Sequence, residues 1–260
     1  MRYKIGDLVT RISHEHDMIF KVIDLIDNTY ILKGKNIRLY ADSPEEDLVL
    51  YQKERDEEDE EFSKRVREDI SLDRDEYFYL PGKILHIDGD KEYLERCLTY
   101  YKDFNLWAVG ACKKENEIAP CMQELLEEHK PNIVVITGHD AYYKKKGDVH
   151  DLNAYKNSKS FADAITEARK YEDSHEKLII IAGACQSDYE ELIKAGANFA
   201  SSPKRINIHA LDPAIIARSI SLAEITKDID LKSIIEKTKY GKEGIGGIRT
   251  KGTMYVGYPR

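Results

Sequence analysis

Two runs of aliphatic residues in the second half of the chain have the composition of strands that are buried on both faces. One run covers 133–137 (IVVIT) and the other covers 178–182 (LIIIA). Continuous aliphatic runs of this length, as opposed to alternating ones, are typical of strands in a parallel sheet. Each run leads into small residues and then into one reactive side chain, which is His139 after the first run and Cys185 after the second.

The pattern from residue 81 onward alternates between strand-like and helix-like segments. Strands are predicted over 83–88, 106–110, 133–137, 178–182 and 197–202. Helices are predicted over 92–101, 118–129, 160–171 and 188–195. Strands that alternate with helices imply right-handed crossovers and a mainly parallel sheet with helices on both faces. We therefore expect an α/β domain over 79–260, with the glycine-rich tail, 241–259, forming a closing hairpin.

The first 52 residues follow a different pattern, in which short apolar runs are separated by glycine, asparagine and aspartate. Strand-sized segments are predicted at 8–9, 18–25, 29–33, 37–40 and 47–51. Such segments with turn residues between them are typical of a small barrel or a curled sheet. The opening Ile5-Gly6-Asp7 is similar to the start of SH3-like barrels, so we expect a small N-terminal SH3-like β-barrel domain over 1–52.

A strongly acidic stretch separates these two regions. Residues 53–61 read KERDEEDEE, with seven acidic residues in nine positions. A run with this much charge does not bury a face, so it is predicted to be solvated. We place an acidic linker over 53–78.

Composition narrows the range of partners. The chain has 260 residues, of which 42% are hydrophobic and 34% are charged, and its net charge is −8. An acidic balance argues against a nucleic-acid partner, and no window approaches the roughly 18 consecutive apolar residues of a membrane span. The N-terminus lacks the apolar core of a secretory signal, and the four cysteines form no CxxC pair. These features predict a cytoplasmic protein with reduced thiols, and the peptidase mechanism predicted below needs no metal or organic cofactor.

His139 and Cys185 are predicted to meet at one edge of the sheet, although they lie 46 positions apart (185 − 139). In open α/β sheets, ligands and catalytic groups gather beyond the carboxyl ends of the strands. A thiolate nucleophile and an imidazole base form an acyl-transfer pair, and the start of the helix predicted from 188 favours an anionic thiolate at Cys185. The sequence therefore predicts a cysteine endopeptidase with Cys185 as nucleophile and His139 as base.

Three points about this predicted site stay open. The oxyanion of the tetrahedral intermediate is predicted to be held by backbone amides, those of Gly138, Asp140 and Ala184. Cys185 has an alternative interpretation as a buried structural thiol, because unpaired cysteine is among the most buried residue types. The base has an alternative in His209, which lies in the segment NIHALDP (207–213).

Two other classes of function fit parts of the pattern. The segment GACQS (183–187) resembles the nucleophile elbow of a glutaminase-like amidotransferase, although such enzymes place the nucleophile before the histidine in the chain. A non-catalytic α/β binding domain would also have polar loops at its strand ends, such as Asp88-Gly89-Asp90.

Longer segments resemble known peptidases. The segments that lead to His139 and Cys185 are similar to those of caspase-like cysteine peptidases, in which one hydrophobic block ends in His-Gly and a second ends in Ala-Cys. This chain differs at Asp140, where that group has glycine. Further segments together resemble the YabG family of sporulation-specific proteases, namely KIGDLVTR (4–11), ITGHDAYYKKKGDVHDLNAYKNSKSF (136–161), IIIAGACQSDYEELIKAGANFASSPKRINIHALDP (179–213) and GIGGIRTKG (244–252).

This resemblance implies a caspase-like, mainly parallel sheet flanked by helices. It also implies a protease of the cytoplasm of the mother cell in a sporulating bacterium, associated with the spore coat, whose substrates are spore coat and cortex-associated proteins. Cleavage after arginine or lysine and processing of the chain itself are implied too, with Cys185 and His139 in the positions of the catalytic pair.

A substrate with a basic side chain needs a carboxylate in its pocket, because a desolvated guanidinium binds well only when it is paired. The candidate acids lie in or near the strand-end loops: Asp140, Asp148, Asp151, Asp188 and Asp212. Two serines, Ser201 and Ser202, are predicted to line the crevice. Self-cleavage is predicted at the basic residues of the acidic stretch, namely Arg55, Lys64, Arg65, Arg67 and Arg74.

Overall fold

A computed structural model of the protein describes residues 2–51, 61–62, 64–65 and 76–259. The chain divides into two compact units, residues 1–69 and 70–260. The boundary falls inside the stretch 53–78, which the sequence predicts to be an acidic linker. Most of that stretch lies outside the described residues, so the linker stays a prediction.

The N-terminal unit contains one antiparallel sheet of five strands. The strands are β1 (Leu8–Arg11), β2 (Phe20–Ile26), β3 (Thr29–Gly34), β4 (Tyr40–Pro44) and β5 (Leu48–Leu50). They pair in the order β4-β3-β2-β1-β5. Asp27 and Asn28 join β2 to β3 with positive φ angles of 46° and 64°, as a tight hairpin turn requires. The fourth strand begins at Tyr40, where the predicted segment 37–40 ends.

The C-terminal unit is built on a six-stranded sheet. Its strands are β7 (Ile84–Asp88), β8 (Ala108–Cys112), β9 (Ile133–Thr137), β10 (Ile179–Ala182), β11 (Phe199–Ser201) and β12 (Ile245–Gly247). They pair in the order β12-β11-β10-β9-β7-β8, with β12 antiparallel at one edge and the other five parallel. Every residue of β9 and β10 is buried, which explains their continuous aliphatic composition.

Helices cover both faces of this sheet. They are α1 (Lys91–Asp103), α2 (Glu115–His129), α3 (Ser158–Tyr171), α4 (Tyr189–Lys194), α5 (Asp212–Ser221) and α6 (Leu231–Glu236). Apolar residues of α2, α3 and α4 share one core with Leu85 and Val134 of the sheet. Tyr101 of α1 contacts the opposite face, where its hydroxyl lies 2.9 Å from Nδ1 of His86. The mixed α/β class predicted from the alternation of strands and helices is confirmed.

The tail does not form the predicted hairpin. β12 pairs with β11, while the last strand, β13 (Tyr255–Gly257), pairs with β6 (Phe78–Leu80) in a separate two-stranded sheet. Gly247 serves close approach and not a tight turn, since a Cβ there would lie 2.5 Å from the Phe199 ring, whereas Gly241 has a φ angle of 53° and no neighbouring atom within 4 Å of such a Cβ. That prediction was wrong because glycine alone does not distinguish these two uses.

The helices α5 and α6 were not among the predicted elements. α5 had a recognisable start, because Pro213 lies in its first turn, where a missing N–H costs nothing. Within the described part of the chain, no helix is both long enough and apolar enough to cross a bilayer.

Candidate active site

His139 and Cys185 follow the carboxyl ends of two adjacent parallel strands, β9 and β10. β9 and β10 run parallel, with Ile136 directly opposite Ala182. His139 and Cys185 each lie three residues beyond that pair (139 − 136 and 185 − 182). The amide of Gly183 donates to the Ile136 carbonyl at 3.0 Å, so the contact between the two segments continues one residue past the end of β10.

Three groups hold His139 in place. Its ring Nε2 lies 3.1 Å from Oδ2 of Asp90, the residue that caps the start of α1. Its amide donates to Oε1 of Glu115 at 2.8 Å, and its carbonyl accepts from Nδ2 of Asn157 at 2.7 Å. A histidine whose ring nitrogen is bonded to a carboxylate has a defined orientation, which suits a general base.

Asp90 is supported in turn by a buried polar cluster on β7 and β9. Its amide donates to Oδ1 of Asp88 at 2.9 Å, and Oδ2 of Asp88 accepts from the Thr137 hydroxyl at 2.8 Å. The Nε2 of His86 lies 3.2 Å from the same hydroxyl. Sequence reasoning did not assign Asp90 a role at the histidine. The signal was present, because Gly89-Asp90 directly follows β7, which is the strand that pairs with β9 on the side away from β10.

Cys185 is fully buried, and backbone covers its sulfur. The amide of Ile208 lies 3.3 Å from the Cys185 Sγ, and the Ile208 carbonyl lies 3.8 Å from it. Next along the chain, the amide of Gln186 donates to the Ile206 carbonyl at 3.0 Å. This burial keeps the structural interpretation of the thiol open. In this conformation the segment that contains Ile208 separates the sulfur from solvent.

The loops that carry His139 and Cys185 are joined through Asp140. Its carboxylate accepts hydrogen bonds from the Ser158 and Ser187 hydroxyls and from the amides of Ala141 and Asn157. Burial raises the pKa of Asp140 because it outweighs these hydrogen bonds, which act in the opposite direction. The geometry makes Asp140 a link between the loops.

The predicted oxyanion amides lie in these same loops. The amide of Ala184 donates to the Ser187 hydroxyl at 2.9 Å, so this donor already has an acceptor. A Cβ at Gly138 would lie 2.5 Å from Oε1 of Glu115, so any other residue here would require the Glu115 side chain to shift. The oxyanion role of the Gly138, Asp140 and Ala184 amides stays a prediction.

The other candidate acids have different surroundings. Asp148 is exposed and accepts from the His150 amide at 3.1 Å, while Asp151 caps the short 3-10 helix Leu152–Ala154. Asp212 is buried and accepts from the amides of His209 and Lys239. Asp188 is buried and pairs with a guanidinium, that of Arg205, at 3.1 Å.

Ser202 and His209 both lie close to the segment that covers the thiol. The Ser202 hydroxyl donates to the Ile206 carbonyl at 2.6 Å and accepts from the Gln186 amide at 3.1 Å. Ser201 is buried in β11, and its hydroxyl has no hydrogen-bond partner in the part of the chain that the structure describes. His209 directly follows Ile208, so it stays a rival to His139 as the base.

An α/β fold with a carboxylate-bound histidine and a cysteine at adjacent strand ends is compatible with a hydrolase, and sequence comparison identifies a peptidase. The family model described as YabG peptidase U57 matches residues 4–259. The chain therefore belongs to the YabG peptidase family.

A relative from Bacillus subtilis (strain 168), the sporulation-specific protease YabG, is 40% identical to the chain over 291 aligned residues, which cover 100% of this chain and 99% of the relative. Membership in this family supports a peptidase and offers no support for a glutaminase-like amidotransferase or a non-catalytic binding domain.

Proposed function

We propose that the protein is a cysteine endopeptidase that acts during sporulation. The observation that carries the proposal is that His139, bonded to Asp90, and Cys185 each follow the carboxyl end of one of two adjacent parallel strands. The name of the Bacillus subtilis relative supports the link to sporulation.

In this proposal Cys185 attacks the scissile carbonyl and His139 accepts the thiol proton. Because Nε2 of His139 is engaged by Asp90, the proton goes to Nδ1. His139 then returns this proton to the leaving amine, and the acyl group stays on the sulfur as a thioester. Water hydrolyses the thioester, with His139 again taking a proton, and this step restores the thiol.

The finer features of the proposal follow from the resemblance to known families. The C-terminal unit is proposed to be caspase-like, supported by the adjacent histidine-bearing and cysteine-bearing strands. The N-terminal sheet is proposed to be an SH3-like barrel that docks substrates. The substrates are proposed to be spore coat and cortex-associated proteins, cleaved after arginine or lysine in the cytoplasm of the mother cell or at the spore coat.

A thiol-directed peptidyl probe tests the catalytic type. Incubation with an arginyl chloromethyl ketone at pH 7 to 8 (about one unit below the usual pKa of a cysteine thiol) is expected to place one covalent adduct on Cys185. Peptide mapping by mass spectrometry locates the adduct. Cys112, which is exposed, provides the comparison for non-specific alkylation. An adduct on Cys112 in place of Cys185, or no adduct at all, would contradict a cysteine mechanism.

Replacing Asp90 by asparagine tests how His139 is oriented. Asparagine keeps the size of the side chain but removes the charge that holds Nε2, so kcat is expected to fall by about 10²- to 10⁴-fold with little change in KM. Steady-state kinetics on a cleaved protein measures both constants. The matched control is Asp163→Asn, an exposed aspartate on α3, which should leave both constants unchanged. A rise in KM alone would show that Asp90 contributes to substrate binding and not to the function of His139 as the base.

Self-processing is proposed at basic residues of the acidic stretch. Of these, Arg55, Arg67 and Arg74 lie outside the described residues, while Lys64 and Arg65 are exposed. Intact mass spectrometry of the purified chain is expected to show fragments that end at one of these residues, and none in the Cys185→Ala variant. Identical masses in both chains after incubation would argue against self-processing.

A further inference from the structure

The guanidinium of Arg205 lies in a pocket made by two acids and a tyrosine. Its Nη2 is 3.1 Å from Oδ1 of Asp188 and also pairs with the carboxylate of Glu190. Its Nε donates to the Tyr155 hydroxyl at 2.7 Å, and its central carbon is 5.7 Å from the centre of the Tyr155 ring. The Arg205 side chain is only 12% exposed. Planar, multi-point contacts of this kind are specific to a guanidinium.

The pocket has more acceptor capacity than Arg205 uses. Asp188 is fully buried, and its Oδ2 has no hydrogen-bond partner among the residues that the structure describes. Burial raises the pKa of Asp188, since it outweighs the attraction of Arg205. Burial opposes the charged form of Glu190 as well, but the Arg205 hydrogen bond is among the contacts that reverse this and lower its pKa. One guanidinium therefore faces two carboxyl groups.

The segment that carries Arg205 also covers the Cys185 thiol. Asp188 lies three residues after Cys185 (188 − 185), and Arg205 lies three residues before Ile208 (208 − 205). The side chain of Arg205 reaches Asp188, while the Ile208 amide reaches the sulfur. The segment 205–208 thus spans the pocket and the thiol together.

The backbone of this segment adopts an uncommon conformation. Arg205 has a φ angle of 55°, in the left-handed region that non-glycine residues seldom occupy. Such a conformation persists only where surrounding contacts enforce it, and it tends to cluster at functional sites. The contacts of the guanidinium with Asp188, Glu190 and Tyr155 are candidates for that enforcement, so losing them would favour release of the segment; a fourth contact, from Nη1 to the Ser202 carbonyl at 3.4 Å, stays within the same stretch of chain.

We propose that Asp188, Glu190 and Tyr155 form the pocket that binds the basic side chain of a substrate, and that Arg205 occupies this pocket until a substrate displaces the segment 205–208. This inference rests on the proposed peptidase function and specifies its recognition site. Arg205 is an occupant and not a cleavage site, because the backbone at the sulfur belongs to Ile208.

A binding experiment tests the pocket without depending on cleavage. The full chain carrying Cys185→Ala is compared with the same chain carrying Arg205→Ala in addition. The probe is N-acetyl-arginine methylamide, and the citrulline compound serves as its neutral isostere; calorimetry measures both affinities. Removal of the internal occupant is expected to tighten binding of the arginine probe by about tenfold or more, because the empty pocket becomes the dominant state. Binding of the citrulline compound should not tighten.

A matched pair of variants on α4 tests whether the Glu190 carboxylate binds the arginine probe. In the Arg205→Ala background, Glu190→Gln is expected to weaken the arginine probe by about tenfold. Glu191→Gln removes a neighbouring acid that pairs with Lys194 and should leave the affinity unchanged. Equal losses from both variants would show a diffuse charge effect, and would overturn the assignment of the pocket.

Folding is monitored in every variant by circular dichroism, and Arg205→Lys covers the case in which Arg205→Ala does not fold. Lysine keeps a positive charge but cannot make all three contacts, so the arginine probe should still bind about threefold more tightly than it does to Cys185→Ala alone. The inference is overturned if neither change at Arg205 tightens binding of the arginine probe. It is also overturned if the affinity for the citrulline compound rises by the same factor. Tighter binding in these chains, together with no cleavage by the chain that keeps Cys185, would support the pocket and refute the peptidase proposal alone.

Discussion

Replacing Cys185 by alanine, or His139 by alanine, is expected to lower kcat/KM for an arginine-containing protein substrate by about 10³-fold or more. The first change removes the nucleophile, and the second removes the group that accepts its proton. Because the two residues act in one step, the double variant should be about as inactive as either single variant. Product formation over time, resolved by gel electrophoresis and mass spectrometry, measures the rates.

Matched substitutions elsewhere separate chemistry from folding. Cys121→Ala on α2 and His129→Ala at the end of the same helix remove the same side chains at partly exposed positions. Both are expected to keep full activity. Thermal unfolding of all four single variants shows whether Cys185→Ala or His139→Ala has lost its fold. Full activity of a folded Cys185→Ala chain would show that the buried sulfur is structural, and would falsify the cysteine mechanism.

His209 provides the strongest internal comparison. It follows Ile208, whose amide lies on the Cys185 sulfur, and its own amide donates to Asp212 at 3.0 Å. If His139 is the base, His209→Ala should reduce activity far less than His139→Ala. The reverse order would assign the base to His209 and would leave the Asp90 contact as a structural feature.

The parts of the site that the sequence predicts are those set by local pattern. β9 begins at Ile133 as expected, and β10 begins one residue after the predicted start at 178, because strands buried on both faces have an unbroken aliphatic composition. The placement of His139 and Cys185 after these strands then follows from the parallel order of the sheet. The mixed α/β class was predictable for the same reason.

The contacts that define the site chemically were not predictable from local pattern. Asp90 meets His139 across 49 positions (139 − 90), and Arg205 meets Tyr155 across 50 (205 − 155). Nothing in the composition around Arg205 distinguishes it from a solvated surface arginine. Its partners can be identified only in the folded chain, where the segment 202–208, which follows β11, lies beside the residues that follow β10.

Replacing Asp140 by alanine is expected to destabilise the fold by roughly 3–5 kcal/mol, since it leaves buried donors without their acceptor. The donors are the Ser158 and Ser187 hydroxyls and the amides of Ala141 and Asn157. Urea-induced unfolding at pH 7 measures the loss. Asp140 is predicted from the sequence to be a substrate-binding acid. This result would show instead that it joins the loops that carry His139 and Cys185.

Asp148 is the matched control, because it is an exposed aspartate between the same strands. Asp148→Ala is expected to change the free energy of unfolding by no more than about 0.5–1 kcal/mol. Equal stabilities of the two variants, together with a loss of cleavage only for basic substrates in Asp140→Ala, would restore Asp140 to the substrate pocket.

The pH dependence of the same pair gives a second test with a definite sign. Burial holds the pKa of Asp140 above its value in the unfolded chain, so between these two values the folded chain binds more protons than the unfolded one. The stability contributed by this carboxyl is therefore fully present below the unfolded value, and it declines as pH rises through the folded one. The cost of Asp140→Ala should accordingly be larger near pH 4, close to the unfolded value, than at pH 7. A cost that grows with pH would mean that the hydrogen bonds outweigh burial at this carboxylate.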